Sequence, residues 1–298
     1  MALPSETTIA FIGTGVMGLP MAGHLMDAGY GLVVFNRTPS RAQPLVDRGA
    51  KVALSSGDAA SRADIVITMV GYPADVEEIY LAAGGIVQSA RDGAVLVDMT
   101  TSSPTLAARI AHAAAERGLS ALDAPVSGGD IGARNATLSI MVGGDAQTFA
   151  RVEPIFRVLG SNITLQGPAG SGQHTKMANQ IAIAGSMLAT AECLAYAERA
   201  GLDPAHVLEA VTAGSAASWS LANLGPRILA GNFAPGFYVK HFIKDMLIAR
   251  DEAVTMGILL PGLALALELF EELARRGDDD KGIHALYLLY KERHLPAV

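Results

Sequence analysis

The segment TIAFIGTGVMG, residues 8–18, decides the fold. Its apolar start is typical of a strand buried on both faces, and Gly13, Gly15 and Gly18 follow in the spacing GxGxxG. A helical pattern then runs over 17–28. A strand, a glycine-rich turn and a helix in this order predict a dinucleotide-binding unit. The first glycine would permit the tight turn, the second would let a pyrophosphate approach the backbone, and the third would let helix and strand pack closely. The helix N-terminus would then face the phosphates.

The end of the second apolar run predicts the type of dinucleotide. Asn36-Arg37-Thr38 stands where an NAD-binding chain usually has an acidic residue for the ribose 2′-hydroxyl. Arg37 can form a fork onto a 2′-phosphate, and Thr38 can add a hydroxyl. We therefore predict NADP as the cofactor. NAD stays possible, because Arg37 could stack on the adenine while either cofactor binds. The residues predicted to bind the cofactor here are Gly13, Thr14, Gly15, Val16, Met17, Gly18, Asn36, Arg37 and Thr38.

The pattern of predicted strands and helices along the chain predicts two domains. In the first half, short apolar runs alternate with helical patterns, which is typical of a doubly wound, mostly parallel Rossmann-type α/β sheet. From Lys176 onward only helical periodicity is found. We predict a dinucleotide-binding domain over 1–167 and an all-α domain over 168–298, joined by a long helix. The predicted strands lie in 8–13, 32–36, 64–70, 94–100, 120–126 and 138–143, and the later helices in 176–200, 204–213, 218–230, 239–256, 262–276 and 282–292.

The segment GPAGSGQHTKMANQ, residues 167–180, carries the candidate proton donor. A glycine-rich turn opens an apolar helix whose first turn is predicted to hold Lys176, Asn179 and Gln180 on one face. A lysine at the mouth of such a helix can supply and retrieve a proton, because burial moves its pKa readily. The alternative is a lysine that extends to solvent from the helix end. His174 is predicted to be a solvated turn residue.

The segment DAPVSGG, residues 123–129, ends an apolar run and enters a glycine-rich turn. Backbone N–H groups in such a turn, with the Ser127 hydroxyl, can hold a carboxylate. Ligands bind beyond the carboxyl ends of strands in sheets of this kind. Ser127, Gly128 and Gly129 are therefore candidate substrate-binding residues, with an ordinary tight turn as the alternative.

Composition narrows the possible partners and the compartment. The chain has 298 residues, of which 50% are hydrophobic and 17% charged, and a net charge of −7. That charge disfavours nucleic-acid binding. The single cysteine, Cys193, is expected to pack as a small buried hydrophobe, and it suits a reducing, cytoplasmic location. No secretory signal is recognised in MALPSETT, and polar residues in the helix after Lys176 favour a core helix over a membrane span. The seven scattered histidines predict no metal site.

Over nearly its whole length the chain resembles the β-hydroxyacid dehydrogenases, which include 3-hydroxyisobutyrate dehydrogenase and tartronate semialdehyde reductase. Four motifs occur in the family's order, and together they are far more specific than any one of them. They are the dinucleotide, substrate, catalytic and cofactor-closing signatures: FIGTGVMGLPMAGHLMDAGY, DAPVSGGDIGARNATLSIMVGG, GSGQHTKMANQ and FAPGFYVKHFIKDMLIA.

The resemblance implies a role for each matching residue. Lys176 would be the catalytic acid/base, and Asn179 would join Ser127, Gly128 and Gly129 in holding a small carboxylate substrate. Thr101 would lie beside the nicotinamide and the substrate. Val70 and Gly71 would lie along the cofactor, and Lys244 would reach its nicotinamide side, with Asp245 next to it. From the residues alone, Lys244-Asp245 reads as a solvated surface pair. The resemblance also implies a homodimer or homotetramer.

Departures from the family pattern leave the substrate open. The chain has His24 where Asn is frequent, Gly71 where Pro is frequent, and Ala136 where Gly is frequent. Gln180 leans toward the tartronate semialdehyde branch, whereas GSAASWSLANLGPR, residues 214–227, leans toward 3-hydroxyisobutyrate-type members. Semialdehydes and hydroxy acids of three or four carbons, glyoxylate and serine all suit an anchored carboxylate.

The predicted reaction is hydride transfer between NADP(H) and a small β-hydroxy acid or its semialdehyde, with Lys176 donating or accepting the proton. Three alternatives come from other classes. A phosphosugar dehydrogenase would have His-Asn where Asn179-Gln180 stand. An imine reductase would usually lack the lysine. A non-catalytic NADP-binding module would have lost Lys176 or the Ser127-Gly128-Gly129 turn.

Overall fold

The computed structural model describes residues 4–292. Contacts divide the chain into two compact units, Met1–Lys176 and Met177–Val298. The predicted domain boundary at 167/168 stays a prediction, and the contact boundary lies later, inside a helix. The first three residues of the MALPSETT segment and the last six of the predicted second domain lie outside the described residues.

The first unit is built on a nine-stranded, mostly parallel sheet, which confirms the predicted fold class. The strand order is β3-β2-β1-β4-β5-β6-β8-β7, with β9 beside β8. Strand β8 runs antiparallel to β6 and β7, and the other pairs are parallel. The strands are β1 (Thr8–Ile12), β2 (Gly31–Phe35), β3 (Lys51–Val52), β4 (Ile65–Thr68), β5 (Val95–Asp98), β6 (Ser120–Asp123), β7 (Val126–Ser127), β8 (Leu138–Gly143) and β9 (Gly160–Gly167).

The continuous apolar runs form strands covered on both faces. Along β1, Ile9 and Phe11 belong to one core cluster, whereas Ala10 and Ile12 belong to another. Alternate residues of a strand point to opposite faces, so both faces of the sheet are packed. The helices of this unit are α1 (Gly18–Asp27), α2 (Gln43–Val46), α3 (Ser56–Ser61), α4 (Pro73–Leu81), α5 (Ile86–Ser89), α6 (Pro104–Glu116), α7 (Gly129–Arg134) and α8 (Ala146–Leu159).

Among the described residues, the second unit contains helices and no named strand. Its core includes Phe242 and Phe270, whose rings meet edge to face at 5.0 Å between centroids. Cys193 is only partly buried against this core, so the prediction of a buried residue holds in part. The helices are α9 (Ser171–Arg199), which begins in the first unit, α10 (Pro204–Thr212), α11 (Trp219–Leu229), α12 (Val239–Thr255), α13 (Pro261–Arg275) and α14 (Tyr287–Glu292), the last preceded by a 3-10 turn.

Helix α9 begins at Ser171, and the predicted start at 176 was wrong. The glycine-rich segment supplies its first turn, so Lys176 lies in the second turn and His174 is an exposed helical residue. Within residues 4–292, α9 is the helix that is long and apolar enough to cross a membrane by length and composition, a test that core helices also pass.

Three parts of the sheet differ from the predicted pattern, and one of them is β9, which was not among the predicted strands. The run 120–126 breaks at Ala124-Pro125 into β6 and the separate strand β7, because proline has no N–H for the ladder. Strand β3 has two exposed residues at the sheet edge, and it was not predicted because it carries no apolar run.

Candidate active site

The GxGxxG turn between β1 and α1 has one open position. A Cβ on Gly13 (φ +97°) would lie 2.2 Å from the Met69 carbonyl oxygen, and one on Gly18 would lie 1.9 Å from that of Gly13. A Cβ on Gly15 would meet nothing within 4 Å. Packing of the chain therefore explains the first and third glycines, whereas a side chain at Gly15 would enter free space. That arrangement fits a pyrophosphate.

Asn36 ties this turn to the end of β2. Its Oδ1 accepts a hydrogen bond from Thr14 N at 2.9 Å, and its Nδ2 donates to Thr38 O at 2.8 Å. The Thr14 hydroxyl is buried and has no hydrogen-bond partner among the described residues. Asn36 therefore contributes by shaping the turn, because both ends of its amide are used within the protein.

Arg37 extends from the end of β2 into solvent. Its side chain is 87% exposed, and its Nη1 lies 3.2 Å from Asp75 Oδ1. Asp75 in turn accepts from Tyr72 N at the start of α4. An exposed ion pair of this kind contributes little, so Arg37 is available to an anion.

The ends of β4 and β5 form a buried polar cluster. The hydroxyl of Thr100 accepts from Val70 N at 3.0 Å, and Thr100 N donates to Asp98 Oδ1 at 3.0 Å. Thr68 also donates to Asp98 Oδ1, at 2.7 Å. Burial raises the pKa of Asp98 to about 6; the hydrogen bonds from Thr100 and Thr68 oppose this rise, and Asp123 adds to it. This cluster fixes Val70 and the segment that contains Thr101.

The Ser127-Gly128-Gly129 turn joins β7 to α7. Gly128 (φ +127°) and Gly129 (φ +61°) both adopt conformations that favour glycine. Ala136, in the same signature, has φ +54°, a conformation that favours glycine, the residue that the family resemblance leads us to expect there. His24 Nε2 meets the carbonyl oxygens of Ala133 and Arg134 at 3.1 and 2.9 Å and so fixes the end of α7.

Lys176 is 6% exposed, so the alternative of a lysine extended to solvent was wrong. Three residues earlier on α9, Gln173 is fully buried and binds both neighbours of Thr101. Lysine side chains are seldom buried, which makes Lys176 a functional candidate.

A second group of polar side chains, linked by hydrogen bonds, lies in the second unit. Asn179 Nδ2 donates to Gln180 Oε1 at 2.7 Å, and Gln180 Nε2 donates to Asp245 Oδ2 at 2.5 Å. Lys244 Nζ lies 3.0 Å from Asp245 Oδ1, and these two side chains are 12% and 2% exposed. The reading of Lys244-Asp245 as a solvated pair was therefore wrong. The structure links Asn179 to Lys244 through Gln180 and Asp245.

Sequence reasoning gave no role to Asp98, Asp123 and Gln173, which are buried polar residues of the first unit. A usable signal was present, because β5 and β6 each end an apolar run in an aspartate and the two aspartates are register partners. Gln173 gave no comparable signal, since its partners are backbone atoms 71 and 73 residues away. Within residues 4–292, no group of three or more His, Cys, Asp or Glu side chains could hold a metal ion.

Two family profiles cover the chain in sequence order. One, described as the NAD binding domain of 6-phosphogluconate dehydrogenase, matches residues 8–167. The other, described as the NAD-binding domain of NADP-dependent 3-hydroxyisobutyrate dehydrogenase, matches residues 170–290.

Relatives and solved structures agree with these profiles. An uncharacterized oxidoreductase of Bacillus subtilis is 55% identical, over 96% of this chain and 99% of its own. The 2-hydroxy-3-oxopropionate reductase of Escherichia coli is 41% identical, over 90% and 92%. The structure of Mycobacterium tuberculosis 3-hydroxyisobutyrate dehydrogenase with L-serine has a TM-score of 0.88 at 32% identity, and covers 95% of this chain and 98% of that one. These matches confirm the predicted resemblance: the chain belongs to the β-hydroxyacid dehydrogenase family, the NAD(P)-dependent oxidoreductases that act on CH–OH groups of small hydroxy acids.

Proposed function

We propose that the protein interconverts a small β-hydroxy acid, such as 3-hydroxyisobutyrate, and its semialdehyde, or reduces tartronate semialdehyde. Lys176 is the proton donor in reduction and the proton acceptor in oxidation. The observation that carries this proposal is the burial of Lys176 on α9, one turn after the glutamine that binds both neighbours of Thr101.

The chain's own residues divide the work. Ser127 and the backbone of Gly128 and Gly129 hold the substrate carboxylate. Lys176, protonated, donates a hydrogen bond and then a proton to the carbonyl oxygen during reduction. Asn179 orients the substrate, with its amide held by Gln180. The cofactor, when bound by the 13–18 turn with Val70, Gly71, Thr101 and Lys244, supplies or accepts the hydride.

A panel of short aldehydes and hydroxy acids, assayed with NADPH and NADH, tests the substrate class. Lys176→Met tests the proton donor: turnover should fall by about 10³-fold or more while cofactor affinity stays within about threefold. Lys291→Met, at an exposed lysine of α14, is the matched control. Near-normal turnover of Lys176→Met would remove Lys176 from the chemistry.

We also propose a preference for NADP(H) over NAD(H). Its support is the exposed Arg37 at the end of β2 and the lack of an acidic residue in Asn36-Arg37-Thr38. Arg37→Asp should lower the NADP/NAD affinity ratio by about 100-fold, which corresponds to about 2.7 kcal/mol. Arg275→Asp makes the same charge change at an exposed site on α13. An unchanged ratio in Arg37→Asp would refute the preference.

We propose a homodimer or homotetramer in which a second copy of the chain covers α9. In the most apolar 18-residue window of α9, only 39% of the residues are buried. Tyr196 of α9 and Trp219 of α11 are 75% and 68% exposed. Light scattering on protein extracted without detergent should give two or four times 30.8 kDa. A monomer, or protein found only in the membrane fraction, would contradict the proposal. A cytoplasmic location without nucleic-acid partners belongs to the same proposal.

A further inference from the structure

We propose that Gln173 is a positioning residue, which holds Thr101 and the Lys176 helix in register for turnover. The inference rests on the proposed function, because it assigns Thr101 and Lys176 to the reacting groups. Gln173 itself reaches neither substrate nor cofactor in this proposal. It acts through the backbone on both sides of Thr101.

The amide of Gln173 uses both of its ends on one short segment. Its Nε2 donates to Thr100 O at 2.7 Å, and its Oε1 accepts from Ser102 N at 2.9 Å. The side chain is fully buried, so water does not compete for these groups. Since Thr100 and Ser102 flank Thr101, the two bonds fix the backbone of Thr101 relative to α9.

The same segment is held from the sheet side. Thr100 accepts from Val70 N through its hydroxyl and donates through its own N–H to Asp98. Residues 100–102 are therefore clamped between the ends of β4 and β5 on one side and α9 on the other. Release of one side leaves the other in place, so removal of Gln173 should shift the segment without unfolding the sheet.

The start of α9 is fixed as well. Asp123 accepts from Gly170 N at 2.7 Å and from Gln173 N at 2.8 Å. A Cβ on Gly172 would lie 2.4 Å from the Met141 carbonyl oxygen, so the helix lies as close to the sheet as its backbone allows. Lys176 follows Gln173 by three residues on this helix, so the anchor that places one side chain also places the other.

The Thr100 carbonyl needs a donor and the Ser102 N–H needs an acceptor. Only a neutral side chain that carries both, at the reach of glutamine, satisfies the two groups. An ionised glutamate has no donor and would set a negative charge against the Thr100 carbonyl. A protonated glutamate regains the donor. Methionine keeps most of the volume and loses both hydrogen bonds. Comparison of ionised glutamate, protonated glutamate and methionine at this position therefore tells whether Gln173 acts through its hydrogen bonds or only through its volume.

The test compares Gln173→Met and Gln173→Glu with Gln147→Met and Gln147→Glu, the same changes at an exposed glutamine of α8. Gln173→Met should lower kcat by about 100-fold, because small displacements of reacting groups cost that much, with the Kd for cofactor within about threefold. Gln173→Glu should have a similarly low kcat at pH 8. On acidification to pH 6, its kcat relative to that of wild type should rise at least tenfold. The kcat of Gln173→Met, divided by that of wild type, should not change between pH 8 and pH 6. Near-UV circular dichroism verifies that each variant is folded.

Two kinetic results would overturn the inference: a kcat for Gln173→Met within threefold of wild type, or a pH profile of kcat for Gln173→Glu that is parallel to that of wild type. Hydrogen exchange of the wild type and the variants gives a readout that needs no substrate. The Ser102 amide should exchange at least tenfold faster in Gln173→Met than in Gln147→Met, and equal rates would refute the clamp. If no hydroxy acid is turned over by the wild type, the proposed function fails and the exchange result still decides the clamp.

Discussion

The glycine-rich segments that precede α1 and α9 in the first unit are used differently by the structure. Before α1, a Cβ on Gly15 would meet no atom within 4 Å, so the backbone there borders open space. Before α9, the N–H groups of Gly170 and Gln173 are bound by the carboxylate of Asp123. The same sequence signal thus leaves open space before one helix and forms an occupied anion site before the other. At the second site the chain supplies its own anion, and the helix it anchors carries Lys176.

The largest effect is expected where a glycine of the open turn meets the backbone. Gly18→Ala would put a Cβ 1.9 Å from the Gly13 carbonyl oxygen and 3.0 Å from the Phe11 ring, so α1 must move away from β1. We expect a loss of more than about 4 kcal/mol in the free energy of unfolding, or failure to fold. Urea unfolding measures the loss. Gly185→Ala, at an open position of α9, is the control, and should gain up to about 1 kcal/mol. A stable Gly18→Ala protein would mean that this contact relaxes cheaply.

The closed start should depend on its carboxylate. Asp123→Asn replaces one acceptor oxygen with an NH₂ group, which faces an N–H donor of Gly170 or Gln173. A buried N–H without a partner, together with the lost charge at a helix N-terminus, should cost about 3 kcal/mol. Asp92→Asn, in an exposed turn, should change the free energy of unfolding by less than about 0.5 kcal/mol. If both variants lose equally little in urea unfolding, Asp123 does not anchor α9.

The open start should depend on the ligand instead. Gly15→Ala meets no atom within 4 Å, so the stability of the free protein should be unchanged or up to about 1 kcal/mol higher. The added methyl group occupies the space that a pyrophosphate needs, so affinity for NADPH should fall by about 10- to 100-fold. Thermal unfolding and fluorescence titration separate the two effects. An unchanged affinity would show that the phosphates do not approach Gly15.

The contrast also shows what the sequence could predict. The apolar runs located β1, β2, β4, β5, β6 and β8 but not the longest strand, β9. The GxGxxG spacing in its strand–helix context indicated a cofactor turn, because both signals are local. The start of α9 was misplaced because its cap is a side chain 47 residues away, on β6. The burial of Lys244-Asp245 likewise depends on tertiary packing, and on Gln180 from another helix. Local patterns therefore indicated the elements, whereas the polar contacts that position the candidate site required the fold.

The smallest effect is expected for Asp98, which lies beside Asp123, the residue that anchors the start of α9. Asp98 is the register partner of Asp123, and burial raises the pKa of both, that of Asp98 to about 6. In the unfolded chain this carboxyl titrates near pH 4, so its contribution to stability is fully present below that pH and is lost as the pH rises through 6. Asp98→Asn keeps the Oδ1 acceptor for Thr100 and Thr68 and removes the titration. Between pH 5 and pH 7, wild type should therefore lose roughly 1 kcal/mol more free energy of unfolding than the variant. Urea unfolding at each pH gives the free energy of unfolding of both proteins. If the two plots against pH are parallel, Asp98 stays ionised beside Asp123. The contact with the start of α9, which only Asp123 makes, would then not cause a difference in ionisation between the two carboxylates.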